Sequence, residues 1–331
     1  MSKRKLSSQV VIEYLDKWPN VPNCTLAKKI YAEQSQLFNN SEHVRGIIRI
    51  YRGRSGDRLR GEVKERSRFV TESLYNPHNL PVSEAEDATI FNLPKQYNRI
   101  GVFSDMHIPY HDVEAITVAI NHCIEMKCNA IILNGDAIDF YQLSRFSKDP
   151  RQRDVAYELD AVASVIRKLN ELFGKVLYKI GNHELRYEKY LRLKAPELLN
   201  VPEYQFENLM SQRGAKCEII PHSIILAGKL PIIHGHEFQG GNTSAVNPAR
   251  GMFLRSSTHG MVSHSHRTSQ HTEKDLLDKI ITVWSIGCLC GLHPEYAQLN
   301  KWNHGFAYIS IDREDAFDVN NYRIHKGKVR Q

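Results

Sequence analysis

The stretch VLYKIGNHE, residues 176–184, decides how this chain folds. Its apolar run, residues 176–180, reads as a buried strand closed by a turn signal. The run stops at Gly181, and Asn182, His183 and Glu184 then present an amide, an imidazole and a carboxylate in succession. Taken alone, such an ending is either a polar turn or a fragment of a metal site.

Four other stretches repeat the pattern. RIGVFSDMH (residues 99–107) ends on Asp105 and His107, and AIILNGDAID (residues 130–139) on Gly135-Asp136, with Asp139 after it. LPIIHGHEF (residues 230–238) carries His234 and His236, and GMVSHSHR (residues 260–267) carries His264 and His266. Each cluster by itself has an ordinary explanation: a capping aspartate, a Gly-Asp turn, a pair of loop histidines. Five of them in order, each directly behind an apolar strand, point to one shared site.

Helical periodicity lies between the first three strands. Ala115, Val118, Ala119 and Cys123 share a face over residues 113–127, as do Leu159, Val162, Val165, Ile166 and Leu169 over residues 155–173. Alternation of strand and helix predicts an α/β fold with a largely parallel sheet covered by helices. Ligands of such sheets bind where the strands end. Asp105, His107, Asp136, Asn182, His234, His264 and His266 form an oxygen and nitrogen donor set suited to Mn²⁺, Fe or Zn²⁺ rather than to Cu(I) or an iron–sulfur cluster. They are too many for one ion and about enough for two that share a carboxylate. Two such ions, roughly 3.5–4 Å apart, stabilise the attacking and leaving oxygens of phosphoester cleavage and make hydroxide available near neutral pH.

In these motifs the chain resembles the calcineurin-like metallophosphoesterases, over roughly residues 100–311. They are D-x-H (Asp105, His107), G-D-x-x-D (Gly135, Asp136, Asp139), G-N-H-E (residues 181–184), H-G-H (residues 234–236) and H-x-H (His264, His266). The resemblance implies a pair of sheets sandwiched between helices. It implies one metal on Asp105, His107 and His266, a second on Asn182, His234 and His264, and Asp136 as the bridge. It makes His183 the catalytic histidine that protonates the leaving oxygen, as suits a group titrating near neutral pH. Asp139, Glu184 and His236 would orient the ligands from behind. The ions expected are two divalent cations, Mn²⁺ foremost, with Fe, Zn²⁺ or Ni²⁺ as other occupants. Two departures stand out. Ser263 replaces the glycine that usually opens the last motif, which is tolerated if the backbone there needs no positive φ. The second motif continues as GDAIDFY, without the Arg-Gly of phosphoprotein phosphatases. Arg186 could contact a substrate phosphate; Arg145 reads more readily as a surface ion pair.

The chain has 331 residues and 41% hydrophobic content, enough for one large catalytic domain and a small accessory one. No apolar run approaches the ~18 residues that span a bilayer. No apolar stretch follows the basic start at Lys3-Arg4-Lys5, so no signal peptide is read and no membrane association is expected. Six scattered cysteines without a C-x-x-C pair read as free thiols of a reducing cytosol. A cytoplasmic location follows, that of a bacterial host if the gene is a phage's.

Charge is unevenly spread. Residues 1–70 hold 15 Lys and Arg against 7 Asp and Glu, while the rest hold 29 against 30. Such asymmetry suggests a polyanion partner or a solubilising arm. Three short helices are predicted there. The first carries Val11, Tyr14 and Leu15; the second is capped by Thr25; the third runs through SEHVRGIIRIYRGRSG to Gly53 and Gly56, after a cap at Asn39-Asn40-Ser41. Arg45, Arg49 and Arg52 share one face of the third helix and would contact DNA if the unit is helix-turn-helix-like. LAKKIY and VRGIIRIYRG resemble the basic segments that precede phosphoesterases encoded by bacteriophages.

The expected organisation is a basic helical module (1–70), a linker (71–97), the metallophosphoesterase domain (98–325) and a basic disordered tail (326–331). IITVWSIG and GFAYISI are expected to complete the second sheet. Trp284 and Trp302 would be core or rim, and His293 and His304 ordinary loop residues. The expected function is hydrolysis of phosphodiester bonds, in DNA, by hydroxide attack with His183 as the acid. A phosphomonoesterase acting on phosphoprotein or nucleotide, and a DNA-binding protein with an inert metal domain, are the alternatives. Oligomeric state is left open.

Overall fold

A computed structural model of the chain describes residues 3–18, 21–52, 89–144, 154–221, 224–238, 246–294 and 297–331. Two compact units emerge, Met1–Ala85 and Glu86–Gln331.

The first unit holds three helices: α1 (Lys3–Lys17), α2 (Asn23–Glu33) and α3 (Ser41–Tyr51). Val11, Leu15, Leu26, Ile30, Phe38, Val44, Ile48 and Tyr51 close its core. The Asn40 side chain accepts from the His43 amide and caps α3, as its spacing predicts. Thr25 does not cap α2. That helix begins at Asn23 behind Pro22, which places Thr25 inside the first turn. Residues 34–40, with a 3₁₀ turn, separate α2 from α3, a longer connection than the three or four residues of a helix-turn-helix. Gly53 and Gly56 lie outside the described residues; α3 ends at Tyr51 with Arg52 as its cap.

The second unit is built on two mixed sheets. The seven-stranded sheet runs β13-β12-β11-β2-β3-β4-β5, with β2 (Arg99–Phe103), β3 (Ala130–Asn134), β4 (Val176–Lys179), β5 (Glu218–Ile220), β11 (Gly305–Ile311), β12 (Phe317–His325) and β13 (Lys328–Arg330). The strands β2 to β5 are parallel, while β11 to β13 are antiparallel additions. The six-stranded sheet runs β1-β6-β7-β8-β10-β9, with β1 (Ile90–Asn92), β6 (Ile224–Ala227), β7 (Leu230–Ile232), β8 (Gly260–Val262), β9 (Ser269–Lys274) and β10 (Ile280–Ser285).

Side-chain alternation makes the sandwich, because each central strand is covered on both faces. Ile100, Val102, Ala130, Ile132 and Leu177 share a core with Ile225, Leu230, Ile232, Met261 and Ile286 of the other sheet. Phe103, Ile131, Leu133, Val176 and Tyr178 point the opposite way, into a core with Ala115, Ala119, Val162 and Ile166. Those residues belong to α4 (Val113–Glu125) and α5 (Val155–Phe173), which Asp112 and Asp154 cap. On the other sheet, Ala249 and Met252 of α8 (Pro248–Ser256) pack on Val262 and Val283. Two further helices, α6 (Glu184–Lys194) and α7 (Phe206–Gln212), lie between β4 and β5 in sequence.

Three expectations are corrected. Residues 89–97 are not linker: β1 pairs with β6, and Leu93 is buried. A three-residue strand before Pro94 has too little alternation to be seen in sequence. Residues 326–331 are not a disordered tail. Lys326 and Gly327, both at positive φ, turn the chain so that β13 pairs with β12, as a two-residue hairpin loop does. Of the two late strands, β10 completes the six-stranded sheet, whereas β11 sits in the other, against β2. Trp284 is buried, as expected of a core residue.

Candidate metal centre

Parallel neighbours β2, β3 and β4 end on the same side of their sheet, and β7 and β8 do so in the other. The five polar clusters therefore meet at one rim of the sandwich. Backbone bonds set their register: the Asp105 amide donates to Gly135 O at 3.1 Å, His107 N to Asp136 O at 3.0 Å, and Ser263 N to His234 O at 2.9 Å. Asn134, fully buried, stitches the sheets together. Its amide donates to Ile233 O at 2.8 Å and to Ser263 Oγ at 3.0 Å, and its carbonyl faces His234 Nδ1 at 2.7 Å.

The backbone here is bent against ordinary preference. Asp105, His107, Asp136, His264 and His266 all have φ between 46° and 64°, a left-handed region that costs on the order of 1 kcal/mol per residue and that Asp and His tolerate better than most. Ser263, between those residues, has no positive φ, so the missing glycine of the last motif is not needed. Gly135, at φ 84°, is needed: a Cβ there would lie 2.5 Å from the His234 ring.

The donors form two groups. Around one, His107 Nε2 lies 3.2 Å from His266 Nε2, which lies 3.1 Å from Asp105 Oδ1. Around the other, His234 Nε2 lies 3.3 Å from Asp136 Oδ2 and 3.2 Å from Asn182 Oδ1. Ligand atoms of Asp136, His234 and His264 fall within 4.8 Å of one another, as do those of His107, Asp136 and His183. Separations of this size match the edges between donors bound to one ion at ~2.0–2.2 Å. Asp105 Oδ1 and His264 Nδ1 are buried without a hydrogen-bond partner among the described residues. Asp105 Oδ1 is thus near a ring nitrogen but not aligned with it, as expected when lone pairs aim at a common third point.

Charge gives the same answer. Asp105, Asp136, Asp139 and Glu184 are all buried, a costly arrangement without cations. Burial opposes ionisation of Asp105 and Asp136, yet neighbouring imidazoles hold both well below the usual carboxylate range: His266 acts on the first, His234 and His183 on the second. Burial likewise opposes charge on His234, and Asp136 still raises it to about 10. The donor set fits divalent cations, with Asp136 among the candidate ligands of both groups.

The residues behind the donors are placed as follows. Asp139 Oδ1 lies 3.1 Å from both His107 Nδ1 and His183 Nδ1. The Glu184 carboxylate accepts from the amides of Asp136 (3.0 Å), Ala137 (2.9 Å) and Gly181 (2.8 Å) and from the Tyr178 hydroxyl (2.7 Å). His183 Nε2 lies 3.8 Å from Asp136 Oδ2. Arg186 donates from Nη1 to Asp139 O at 2.7 Å, and its Nη2 reaches His183 Nε2 at 2.8 Å. His236 sits beside His234, with Nδ1 3.7 Å from Glu237, and burial lowers its pKa to about 4. Arg145 lies outside the described residues. In the first unit, Arg45 pairs with Glu42 at 2.9 Å, Arg49 is exposed, and Arg52 donates to Asn23.

Sequence reasoning missed several residues. Glu237 accepts from the amides of His234 and Gly235 at 3.1 and 2.6 Å and pairs with buried Lys179 at 2.7 Å. The signal was a lysine inside an apolar strand, with a carboxylate after H-G-H as after G-N-H. Trp302 packs its ring 4.1 Å from that of His266. His304 is not a plain loop residue: its Nε2 reaches Cys290 O at 2.9 Å.

A family profile described as calcineurin-like phosphoesterase matches residues 98–289. The "Gene 54 protein" of Mycobacterium phage L5 is 26% identical over 233 residues, 65% of this chain and 89% of that protein. Among solved structures, Vacuolar Protein Sorting 29 from Cryptosporidium parvum is similar at 13% identity and a TM-score of 0.39, over 70% of this chain and 94% of that one. Yfce, a phosphoesterase from E. coli, is similar at 16% identity and a TM-score of 0.30, over 66% and 96%. No helix among the described residues is long and apolar enough to cross a membrane.

Proposed function

The chain belongs to the calcineurin-like phosphoesterase family, and from that premise we propose that it is a two-metal phosphodiesterase that acts on DNA. The observation that carries phosphoester hydrolysis is the convergence of seven oxygen and nitrogen donors, from both sheets, on one rim. Asp105, His107, Asp136 and His266 would hold one ion, and Asp136, Asn182, His234 and His264 the other. When bound, such a pair supplies Lewis acidity and a nucleophilic oxygen at neutral pH; Mn²⁺ suits the donor set, as do Fe, Zn²⁺ and Ni²⁺.

The chain's own groups do the rest. Asp139 accepts a hydrogen bond from His183 Nδ1–H at its carboxylate and its backbone carbonyl, at 3.1 and 3.0 Å, so the ring is fixed with Nε2 toward Asp136. A proton taken up at Nε2 in place of the hydrogen bond from Arg186 serves the leaving oxygen. Arg186 stands beside it as a fork for a phosphate oxygen pair.

Action on DNA rests on charge. Residues 1–70 carry an excess of eight positive charges, and residues 71–331 carry −1. A basic module in the same chain raises the local concentration of a polyanion around the catalytic unit. A cytoplasmic setting in a bacterial host agrees with the phage relative.

Arg45→Gln with Arg49→Gln in the full chain is the test. Cleavage of duplex DNA should weaken, and the slope of log affinity against log salt should shrink by about one for each phosphate no longer neutralised. Hydrolysis of a small diester should stay unchanged. Equal loss on both substrates, or on neither, contradicts the DNA reading. The pairing of Arg186 with His183 also favours a second reading, a phosphomonoesterase that grips a terminal phosphate. A panel of mono- and diesters assayed with Mn²⁺ separates the two.

A further inference from the structure

The structure points to Cys290 as a positioning residue of the metal centre, its sulfur accepting a hydrogen bond from the Nδ1–H of His266. This rests on the two-metal reading above, and it adds a sulfur to a centre otherwise built from oxygen and nitrogen.

Cys290 is 3% exposed, and its Sγ lies 3.9 Å from His266 Nδ1. The opposite nitrogen of that ring, Nε2, faces His107 Nε2 at 3.2 Å and the unpartnered Asp105 Oδ1 at 3.1 Å. An ion bound at Nε2 therefore has the sulfur behind the ring. Sγ and ring nitrogens of His107 and His266 nevertheless fall within 4.8 Å of one another, so the sulfur belongs to the same compact group.

The segment is held firmly. Leu289 N donates to Asp105 O at 3.2 Å, Gly291 N to Tyr110 O at 2.8 Å, and Cys290 O accepts from His304 Nε2 at 2.9 Å. The other cysteine of the segment, Cys288, donates its S–H to Asn303 O at 3.7 Å instead. Trp302 covers the His266 ring at 4.1 Å. Metal-bound histidines ordinarily give their other N–H to a carboxylate, a carbonyl or water, and loss of that partner weakens metal binding about 10–100-fold. A sulfur is a weaker acceptor, so this ring is oriented as much by packing as by its hydrogen bond.

The test titrates Co²⁺ into the full-length protein and follows its visible absorption, with wild type, Cys290→Ala and Cys290→Ser compared. Wild type should take two equivalents without a near-ultraviolet sulfur-to-cobalt charge-transfer band. Cys290→Ala should bind one equivalent about 10-fold more weakly, the low end expected of a weak acceptor, and keep the other. Cys290→Ser, which retains an acceptor, should recover most of the loss. Unchanged affinity for both equivalents in Cys290→Ala overturns the proposal. A charge-transfer band in wild type that Cys290→Ser abolishes also overturns it, because the sulfur would then be a ligand itself. No Co²⁺ binding by wild type removes the two-metal reading, and this proposal with it.

Discussion

Arg186 Nη2 lies 2.8 Å from His183 Nε2, so a permanent cation faces the nitrogen that would carry the acid proton. Burial lowers the His183 pKa and Arg186 lowers it further, but Asp136 and Asp139 outweigh them, and the net shift is upward. A general acid of this kind loses activity as pH rises through its pKa. Arg186→Gln removes a lowering charge, so the alkaline limb of the pH–rate profile should move to higher pH, while KM rises about 10-fold as the phosphate is deprived of a paired donor. A limb that stays in place, measured as kcat/KM against pH, would show that the two side chains are not coupled.

Glu184 gathers five donors from two stretches of chain, residues 136–138 and 178–181. Glu184→Ala strands buried amides of Asp136, Ala137 and Gly181, at ~1–3 kcal/mol for each unsatisfied group. Stability should fall by at least about 3 kcal/mol, roughly 6–12 °C in Tm for a unit of this size. Calorimetry in chelator, where no ion contributes, is the measurement.

Lys179, at the end of β4, and Glu237, in the loop after β7, are joined at 2.7 Å beneath the centre. Lys179→Met leaves a carboxylate without its cation and should cost ~3–5 kcal/mol. Adding Glu237→Gln should return part of that loss. Denaturant unfolding of the singles and the double gives the coupling, and strictly additive losses would refute it.

Burial, and then Asp139, raise the Glu158 pKa from 4.5 to about 7. Between those values the folded chain holds a proton that the unfolded chain has released, so this group's contribution to stability falls as pH rises across that window. Glu158→Gln stays neutral throughout. It should match wild type near pH 4 and exceed it above pH 7, by on the order of 1 kcal/mol after allowance for solvent screening. Parallel stability–pH curves for the two proteins would exclude a proton on Glu158.

The strand ends were legible because apolar runs and glycines mark them, and α5 was legible to the residue because its stripe is long and Asp154 caps it. Which sheet a strand joins was not: alternation in β10 and β11 says that each is covered, not by what. The return strand β13 was hidden by its charge, although Lys326-Gly327 carries a turn signal. Lys179 and Glu237 lie far apart in sequence, and only the period-two parity of β4, which turns Lys179 toward the other sheet, brings them together. The left-handed backbone at five donors leaves no trace in residue type beyond the tolerance of Asp and His for it.

The donors come from both layers: Asp105, Asp136 and Asn182 hang from one, His234, His264 and His266 from the other. Ions seated among them would act as rivets at a single edge, with Asn134 bolting the layers together just inside. Chelation should let that edge splay before anything else melts, so amide hydrogens near Ile233 and Ser263 would exchange early. The far edge, closed by greasy side chains, would keep its protection.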